Sequence, residues 1–196
     1  MRENLTKSGL TIGSNSKSAE AEFNLESIRS VGSKYIDYLK MMAIKSPRNR
    51  YRLCLHHDAS HLTQEMIICL NGFNYFQPHL HPGNRSESYH MIQGVMDVYL
   101  FDENGGLVDT VELAASGIQG AENRSFMYRL SAPIYHLMIP RSEWTIYHEV
   151  LTGPWSKEEV VNYAPFAPSE NDMAAVAEYV YEITGRSFEE LAKYRC

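Results

Sequence analysis

Two hydrophobic periodicities alternate along the chain and divide it into a β-rich centre with helical flanks. Over residues 25–44, apolar positions recur every three or four residues, which predicts an amphipathic helix that ends at Ser46-Pro47. Over residues 51–151 the apolar period changes to two, in short runs separated by Gly, Asn, Asp and Pro. These runs predict strands near 51–57, 64–71, 74–81, 86–93, 95–101, 107–113, 125–130, 135–139 and 144–151.

Many short strands joined by turns favour an antiparallel sandwich or barrel. The segment DENGG, residues 102–106, is a strong hairpin signal, because Asn and Gly tolerate the positive φ angles of tight turns. After Gly153-Pro154 the helical period returns. We expect Ser169 to cap a helix that Gly185 ends, and the SFEE segment from Ser187 predicts a second, short helix. These helices would cover the barrel or contact another subunit.

Chain length and composition favour one domain with terminal additions, because 196 residues of 44% hydrophobic content are enough to bury a full core. Residues 1–22 are rich in Ser, Asn, Lys and Glu, and are predicted to form a flexible N-terminal arm. Residues 23–168 are predicted to hold the barrel with its leading helix. Residues 169–196 form the predicted C-terminal helical extension.

The charge balance argues against nucleic acid as a partner. Lys and Arg total 18 against 24 for Asp and Glu, which gives a formal charge of −6. The sequence also has no Lys/Arg-rich run that could follow a phosphate backbone. No apolar stretch approaches the roughly 18–20 residues that cross a bilayer, and the N-terminus lacks the apolar core of a secretory signal. Three cysteines without a CxxC pair suit a reducing compartment. We therefore expect a cytoplasmic protein with no membrane partner.

Candidate metal ligands lie in the stretch FQPHLHPGNRSESYHMIQG, residues 76–94. Side chains alternate between the faces of a strand. Along the predicted strand 74–81, one face therefore carries Tyr75, Gln77, His79 and His81. On the next strand Glu87 points toward the histidines, whereas His90 points away. The two imidazoles and the carboxylate form part of a predicted metal site.

Two histidines compete for the remaining ligand position. His136 follows a Pro-bearing turn and opens an apolar strand, whereas His148 belongs to a strand with a structural pattern. We therefore prefer His136. The predicted metal ligands are His79, His81, Glu87 and His136.

The spacing of these residues resembles the two motifs of the cupin superfamily. The run from Gly72 to Gly94, with His79, His81 and Glu87 between, looks like the first cupin motif. The segment around His136 occupies the place of the histidine in the second. The loops before the histidines and before the glutamate are each one residue longer than usual.

Four flanking segments narrow the resemblance. SPRNRYRLCLH, PHLHPGNRSES, HEVLTGPW and YAPFAPSEND are together similar to the WbuC-type cupin-fold metalloproteins, over about residues 27–172. This resemblance implies a mainly β fold, a single cupin (double-stranded β-helix or jelly-roll) barrel, with an N-terminal helix and C-terminal helices. It also implies a bound metal and a link to bacterial O-antigen and surface-polysaccharide gene clusters, and it implies no particular reaction.

Three imidazoles and one carboxylate suit a divalent metal ion such as Fe, Mn, Ni or Zn, and leave coordination positions open for water, dioxygen or substrate. Residues on the ligand face or on a neighbouring strand are candidates for binding the substrate. Arg52 or Arg50 would bind a carboxylate or phosphate through the guanidinium group. The substrate-binding candidates are Arg52, His56, Gln64, Tyr75 and Gln77.

The leading functional hypothesis is a small cytosolic enzyme that acts on a sugar or sugar-nucleotide in O-antigen or surface-polysaccharide biosynthesis. The metal would act as a Lewis acid, as in an isomerase or epimerase. The same ligands suit an Fe(II)-dependent dioxygenase, and a non-catalytic metal-dependent binding or sensor module is the third hypothesis. The apolar helix faces at both ends also predict a homodimer.

Overall fold

The computed structural model describes residues 18–191. Its strands and helices, in chain order, are β1 (Ala21–Phe23), α1 (Ser33–Lys45), β2 (Arg50–Cys54), β3 (Thr63–Asn71), β4 (His79–Leu80), β5 (Glu87–Gln93), β6 (Val95–Phe101), β7 (Leu107–Ala114), β8 (Met127–Leu130), β9 (Tyr135–Pro140), β10 (Trp144–Thr152), α2 (Lys157–Val160), β11 (Asn162–Tyr163), α3 (Met173–Thr184) and α4 (Phe188–Leu191).

The strands form two packed sheets. One has six strands in the order β1-β2-β3-β10-β5-β8, and the other has five in the order β11-β4-β9-β6-β7. Neighbouring strands are antiparallel except β1, which runs parallel to β2. Strands distant in the chain are neighbours, as β3 and β5 on either side of β10 show. The mainly β jelly-roll fold predicted from the sequence is confirmed.

The helices cover the outer faces of the two sheets. On β3, Met66 and Ile68 face the core between the sheets, whereas Ile67 and Cys69 face α1. Burial on both faces explains why β3 is apolar along most of its length. Val176 of α3 packs, together with α4, against the outer face of the five-stranded sheet. The apolar helix faces therefore lie on the barrel, and the predicted homodimer stays a prediction.

The first helix is shorter than its periodicity predicts, because it begins at Ser33 rather than near residue 25. The Asn24 side chain accepts a hydrogen bond from the Glu26 N–H at 3.0 Å and donates to the Leu55 carbonyl at 3.3 Å. These bonds hold the preceding segment against the sheet, where they compete with helical hydrogen bonds. The helix ends before Ser46, as predicted.

The caps of the C-terminal helices agree with the sequence in part. Asp172, not Ser169, caps α3, because its carboxylate accepts a hydrogen bond from the Ala175 N–H at 3.1 Å. Gly185 ends the helix with a φ of 65°, as predicted. In the short helix that follows, Glu190 accepts hydrogen bonds from both the N–H and the hydroxyl of Ser187, at 2.8 and 3.0 Å.

The end of the predicted N-terminal arm belongs to the barrel. Residues 1–17 lie outside the described residues. Ala21 and Glu22 are in β1, so these last residues of the predicted arm belong to the sheet instead. Glu22 is 1% exposed, because its carboxylate lies in a pocket of tyrosine hydroxyls. Its donors include Tyr35, Tyr38 and Tyr51. The boundaries at residues 168 and 169 stay predictions.

Candidate metal centre

The candidate metal centre lies between the two sheets, beside the short strand β4. His79 of β4 is the register partner of His136 of β9, and His81 follows directly after β4. The predicted strand 74–81 is reduced to His79–Leu80. Pro78 has no N–H to donate and restricts the residue before it, so regular strand pairing cannot extend in that direction.

Three imidazole rings meet at this point. The ligand nitrogens of His79, His81 and His136 all lie within 4.8 Å of one another. The ring centroids are 4.5 Å apart for His79 and His136, and 5.2 Å apart for His79 and His81. His136 is fully buried and His81 is 6% exposed. The cluster therefore has the size of a single metal site.

Backbone carbonyls fix the tautomer of each ring. A carbonyl oxygen only accepts hydrogen bonds, so the Nδ1 atom facing it must carry the proton. In a neutral ring the lone pair is then on Nε2, which is the state that binds metal. The Nδ1 to carbonyl distances are 3.0 Å from His79 to Gln77, 2.7 Å from His81 to Val160 and 3.1 Å from His136 to Ile134.

Glu87, the first residue of β5, lies beside two of the three rings. Its Oε2 lies 3.2 Å from His81 Nε2 and accepts a hydrogen bond from the Tyr89 hydroxyl at 2.9 Å. Its Oε1 lies 2.9 Å from His136 Nε2, yet neither of these two buried atoms forms a hydrogen bond within residues 18–191. Two buried acceptors this close repel each other unless a cation, such as a metal ion, lies between them. The residues therefore fit a metal ion.

The charges of these groups depend strongly on burial. Burial, reinforced by the neighbouring His136, lowers the pKa of His79 to about 3, so this ring is neutral at physiological pH. Burial alone would lower the pKa of His81, but the hydrogen bond to Glu87 and its charge outweigh burial and raise it. Burial would raise the pKa of Glu87, but His136 and His81 hold it well below its usual range. The carboxylate is therefore ionised and available to a cation.

A cavity of about 770 Å³ lies next to the histidines. Its wall includes His79, His81 and Glu87 together with residues of β2, β3 and β10. The volume is within the range of small-molecule sites, roughly 300–1,000 Å³. A molecule in the cavity would therefore lie beside a metal ion held by the histidines.

Four of the five predicted substrate-binding residues line this cavity: Arg52, His56, Gln64 and Gln77. The fifth, Tyr75, does not, because its side chain packs in the apolar cluster under α3 and its hydroxyl donates to the Pro168 carbonyl at 2.9 Å. The prediction for Tyr75 assumed a regular strand from residue 74, and that strand is absent from the described structure.

The cavity residues differ in how free their polar groups are. The Gln64 amide donates to the His61 carbonyl at 2.8 Å, and the Gln77 amide donates to the Ala164 carbonyl at 3.3 Å. His56 Nδ1 accepts from a backbone N–H at 2.9 Å, and burial lowers the pKa of this ring. These three side chains help to shape the wall and keep few free donors.

The two candidate arginines have different roles. Arg50 is held at 3.0 Å from Glu170 and lies over the Phe76 ring at 4.3 Å, so it is part of the wall. The guanidinium group of Arg52 lines the cavity and, across residues 18–191, has no ion pair or hydrogen bond. Arg52 is therefore the one of the two that is free to bind an anionic group.

The residues on β10 confirm the alternation but add a side chain that the sequence analysis missed. His148 points to the outer face, where it contacts Glu65 at 3.0 Å, so it does not compete with His136. Tyr147 and Glu149 point into the cavity. The signal for Glu149 was present, since it shares a strand face with Tyr147 and Leu151, but the sequence analysis treats this strand as structural.

The two motif regions therefore meet inside one barrel, with His79, His81 and Glu87 from the first and His136 from the second. The chain has a jelly-roll fold of two sheets. A family model described as a domain of unknown function, DUF6016, matches residues 31–113. This range includes His79, His81 and Glu87 and ends before His136. A comparison with curated proteins gave no match.

Solved structures with a similar fold are distant in sequence. A cupin superfamily protein from Desulfitobacterium hafniense is 11% identical, with a TM-score of 0.39 over 53% of this chain and 76% of that chain. An oxalate oxidase in complex with the substrate analogue glycolate is 9% identical, with a TM-score of 0.45 over 74% and 70%. Salicylate 1,2-dioxygenase from Pseudoaminobacter salicylatoxidans, in complex with gentisate, is 8% identical, with a TM-score of 0.49 over 69% of this chain and 37% of that chain.

No helix between residues 18 and 191 has the length and apolar character needed to span a membrane.

Proposed function

We propose that the chain binds one divalent metal ion and acts on a small polar molecule in the adjoining cavity. The observation that carries the proposal is the buried pair of His136 Nε2 and Glu87 Oε1, which are 2.9 Å apart without a hydrogen bond. A shared cation would remove the repulsion between their lone pairs. The proposed ligands are His79, His81, Glu87 and His136.

The donor set favours a transition metal with room for further ligands. Imidazole and carboxylate donors suit Fe, Mn, Ni or Zn, all of which accept four protein ligands and leave positions free. A bound ion supplies Lewis-acid chemistry, by polarising an oxygen atom of a molecule beside it. The Tyr89 hydroxyl and the three backbone carbonyls orient the ligands for this role.

The cavity residues support a polar substrate with an anionic group. We propose that Arg52 binds this group, because its guanidinium is free on the cavity wall. His56, Gln64 and Gln77 complete the polar lining around the substrate. Arg50 is left out of the substrate site because its guanidinium is bound to Glu170.

The leading reaction class is an isomerase or epimerase that acts on a sugar or sugar-nucleotide. The resemblance to the WbuC-type metalloproteins supports a role in surface-polysaccharide biosynthesis and a sugar substrate. The three cysteines without a CxxC pair support a cytoplasmic location. An Fe(II)-dependent dioxygenase and a non-catalytic sensor would use the same ligands. The experiments below distinguish these three.

Metal content tests the ligand set. Wild-type protein purified from metal-supplemented cells should contain about one divalent ion per chain by mass spectrometry, and the double variant H79A/H81A should contain none. The matched control is H90A/H148A, which removes a cross-strand histidine pair on β5 and β10 outside the barrel. The ligand assignment is wrong if H79A/H81A keeps its metal or if the control loses it.

Ligand binding and turnover test the function of the metal-loaded chain. Thermal-shift measurements with sugars, sugar phosphates and nucleotide-sugars should show stabilisation that requires metal. R52M should weaken the apparent affinity for the ligand about tenfold or more. The control R129M removes an exposed arginine of β8. Oxygen consumption with an iron-loaded chain would favour the dioxygenase instead. Binding without any turnover would favour the sensor.

A further inference from the structure

We propose that Glu149 is the proton-transfer group of this site, and that the substrate class has a C–H bond next to a carbonyl group. The inference rests on the proposed function, because the substrate must lie in the cavity beside the metal. It adds the residue that would carry out an isomerase or epimerase reaction. Three observations on the position, the partners and the environment of Glu149 support it.

The sheet register places Glu149 close to the proposed metal site. On β10 it lies directly opposite Met66 of β3 on one side and Tyr89 of β5 on the other. Glu87 is two residues before Tyr89 and faces the same side of the sheet. Diagonal neighbours of this kind have Cβ atoms roughly 7–8 Å apart. A small molecule bound beside the metal would therefore be within reach of the Glu149 carboxyl group.

The missing partners of Glu149 set it apart from the buried carboxylates Glu22, Glu87 and Asp97. Glu22 accepts hydrogen bonds from tyrosines, Glu87 accepts one from Tyr89, and Asp97 pairs with Arg124 at 2.7 Å. Glu149 has no hydrogen bond and no ion pair within residues 18–191, although it lines the cavity. A carboxylate that served only the fold would be expected to have a donor. Its free oxygen atoms face the space where a substrate would bind.

The surroundings of Glu149 favour proton exchange near neutral pH. Burial, reinforced by the negative charge of Glu87, raises the pKa of Glu149 to about 7. Among the charged groups around it, Arg52 of β2 acts in the opposite direction, together with His81 and His136 across the barrel. A group that titrates near the working pH transfers protons efficiently in both directions. This property agrees with the position and does not by itself establish the role.

The proposed step balances without any co-reactant. The Glu149 carboxylate takes the proton from the carbon atom next to a carbonyl group, the C–H electron pair forms a C–C double bond, and the carbonyl oxygen becomes negatively charged. Return of a proton to the same face of that carbon gives the reactant, and addition to the opposite face gives the epimer. Return to the adjacent carbon, with a hydroxyl proton moving between the two oxygens, gives the isomer. The reaction has no net oxidation or reduction.

Deuterium exchange tests this step without knowledge of the natural substrate. Dihydroxyacetone and D-glyceraldehyde serve as probes, each incubated in D₂O with chain loaded with zinc or with Fe(II), and incorporation is followed by mass spectrometry. Wild type should introduce deuterium next to the carbonyl group. E149Q should lower the exchange rate about 100-fold or more. Its metal content should stay unchanged and its affinity for the probes should change less than about threefold, because the amide keeps the shape of the side chain.

The control is E65Q, which removes a carboxylate on the outer face of β3 that contacts His148. Its exchange rate should equal that of wild type. The rate of wild type should rise with pH as the carboxylate forms, and E149Q should lack this dependence. An infrared C=O band of a protonated carboxyl group at pH 6 should also disappear in E149Q.

Several outcomes would overturn the inference. They are full exchange by E149Q, an infrared band that E149Q retains, or no exchange of either probe by wild type with either metal. Loss of metal binding in wild type would instead refute the proposed function. The metal measurement can therefore refute the proposed function, and the exchange measurement can refute the role of Glu149, independently of each other.

Discussion

Replacement of Glu149 by glutamine should stabilise the metal-free chain at alkaline pH. The folded structure raises the pKa of this carboxyl group from its ordinary value of 4.5 to about 7, mainly through burial. Between these two values the unfolded chain has released the proton while the folded chain still holds it. Stability therefore falls as pH rises from about 4.5 to about 7, and stays low above that range.

The size of this effect follows from about 1.4 kcal/mol per pH unit of pKa difference. The raised pKa of Glu149 should lower the free energy of unfolding by about 3 kcal/mol at pH 8 and by about 1 kcal/mol at pH 5. Glutamine has no charge to bury, so E149Q should recover these amounts. Urea unfolding of both proteins, in the presence of a chelator, measures the difference at each pH.

Two comparisons make the result interpretable. E65Q, whose carboxylate contacts His148 on the outer face, should gain no stability at pH 8. Metal loading should shrink the gain of E149Q, because a nearby cation favours the carboxylate. If E149Q changes stability equally at pH 5 and pH 8, or destabilises the chain at pH 8, the carboxyl group is not held in an unfavourable ionised state and the electrostatic reasoning is wrong.

Three further substitutions test the fold around the site. G94A should lower the free energy of unfolding by about 2–5 kcal/mol, because Gly94 has a φ of 81° and a Cβ atom there would overlap a β10 carbonyl. G72A, which also has a positive φ but open space around it, should lower it by about 1 kcal/mol. Thermal denaturation measures both. D97A should lower the free energy of unfolding by about 3 kcal/mol in urea, because it leaves the buried Arg141, which is 6% exposed, without its carboxylate partner. A loss below about 0.5 kcal/mol would contradict this explanation. E22Q should lower the free energy of unfolding by about 1–3 kcal/mol, because it weakens the hydrogen bonds from three tyrosine hydroxyls. It should also speed amide hydrogen exchange in β1. Unchanged exchange in β1 would show that other contacts hold the strand.

Local patterns were sufficient for most of the fold. The period-two runs located nearly every strand of the barrel, since alternation reflects which side chains are buried on each strand. They failed at residues 74–78, where Pro78 interrupts pairing, and they missed the short strands β1 and β11. Two of these errors affected the assignment of residues, because Tyr75 was assigned to the cavity and Glu22 to a flexible arm.

The candidate metal site could be predicted in outline for the same reason. His79, His81 and Glu87 lie within nine residues, so alternation on each strand was enough to predict that they meet, although β4 and β5 belong to opposite sheets and do not form a hairpin. His136 was preferred over His148 from its local context, and the register of β4 with β9 places it against His79. The identity of the metal, the substrate and the reaction stay predictions.

The amino-acid sequence by itself determined the strand periods, the helix ends at Ser46 and Gly185, and the direction of each side chain on its own strand. It did so because these properties depend on neighbours a few residues apart. Only the tertiary structure decided that β10 lies between β3 and β5, and hence that Glu149 faces the same space as Glu87, 62 residues earlier in the chain. Pairing between distant strands depends on how the whole barrel closes, and no local pattern records which carboxylate is left without a partner.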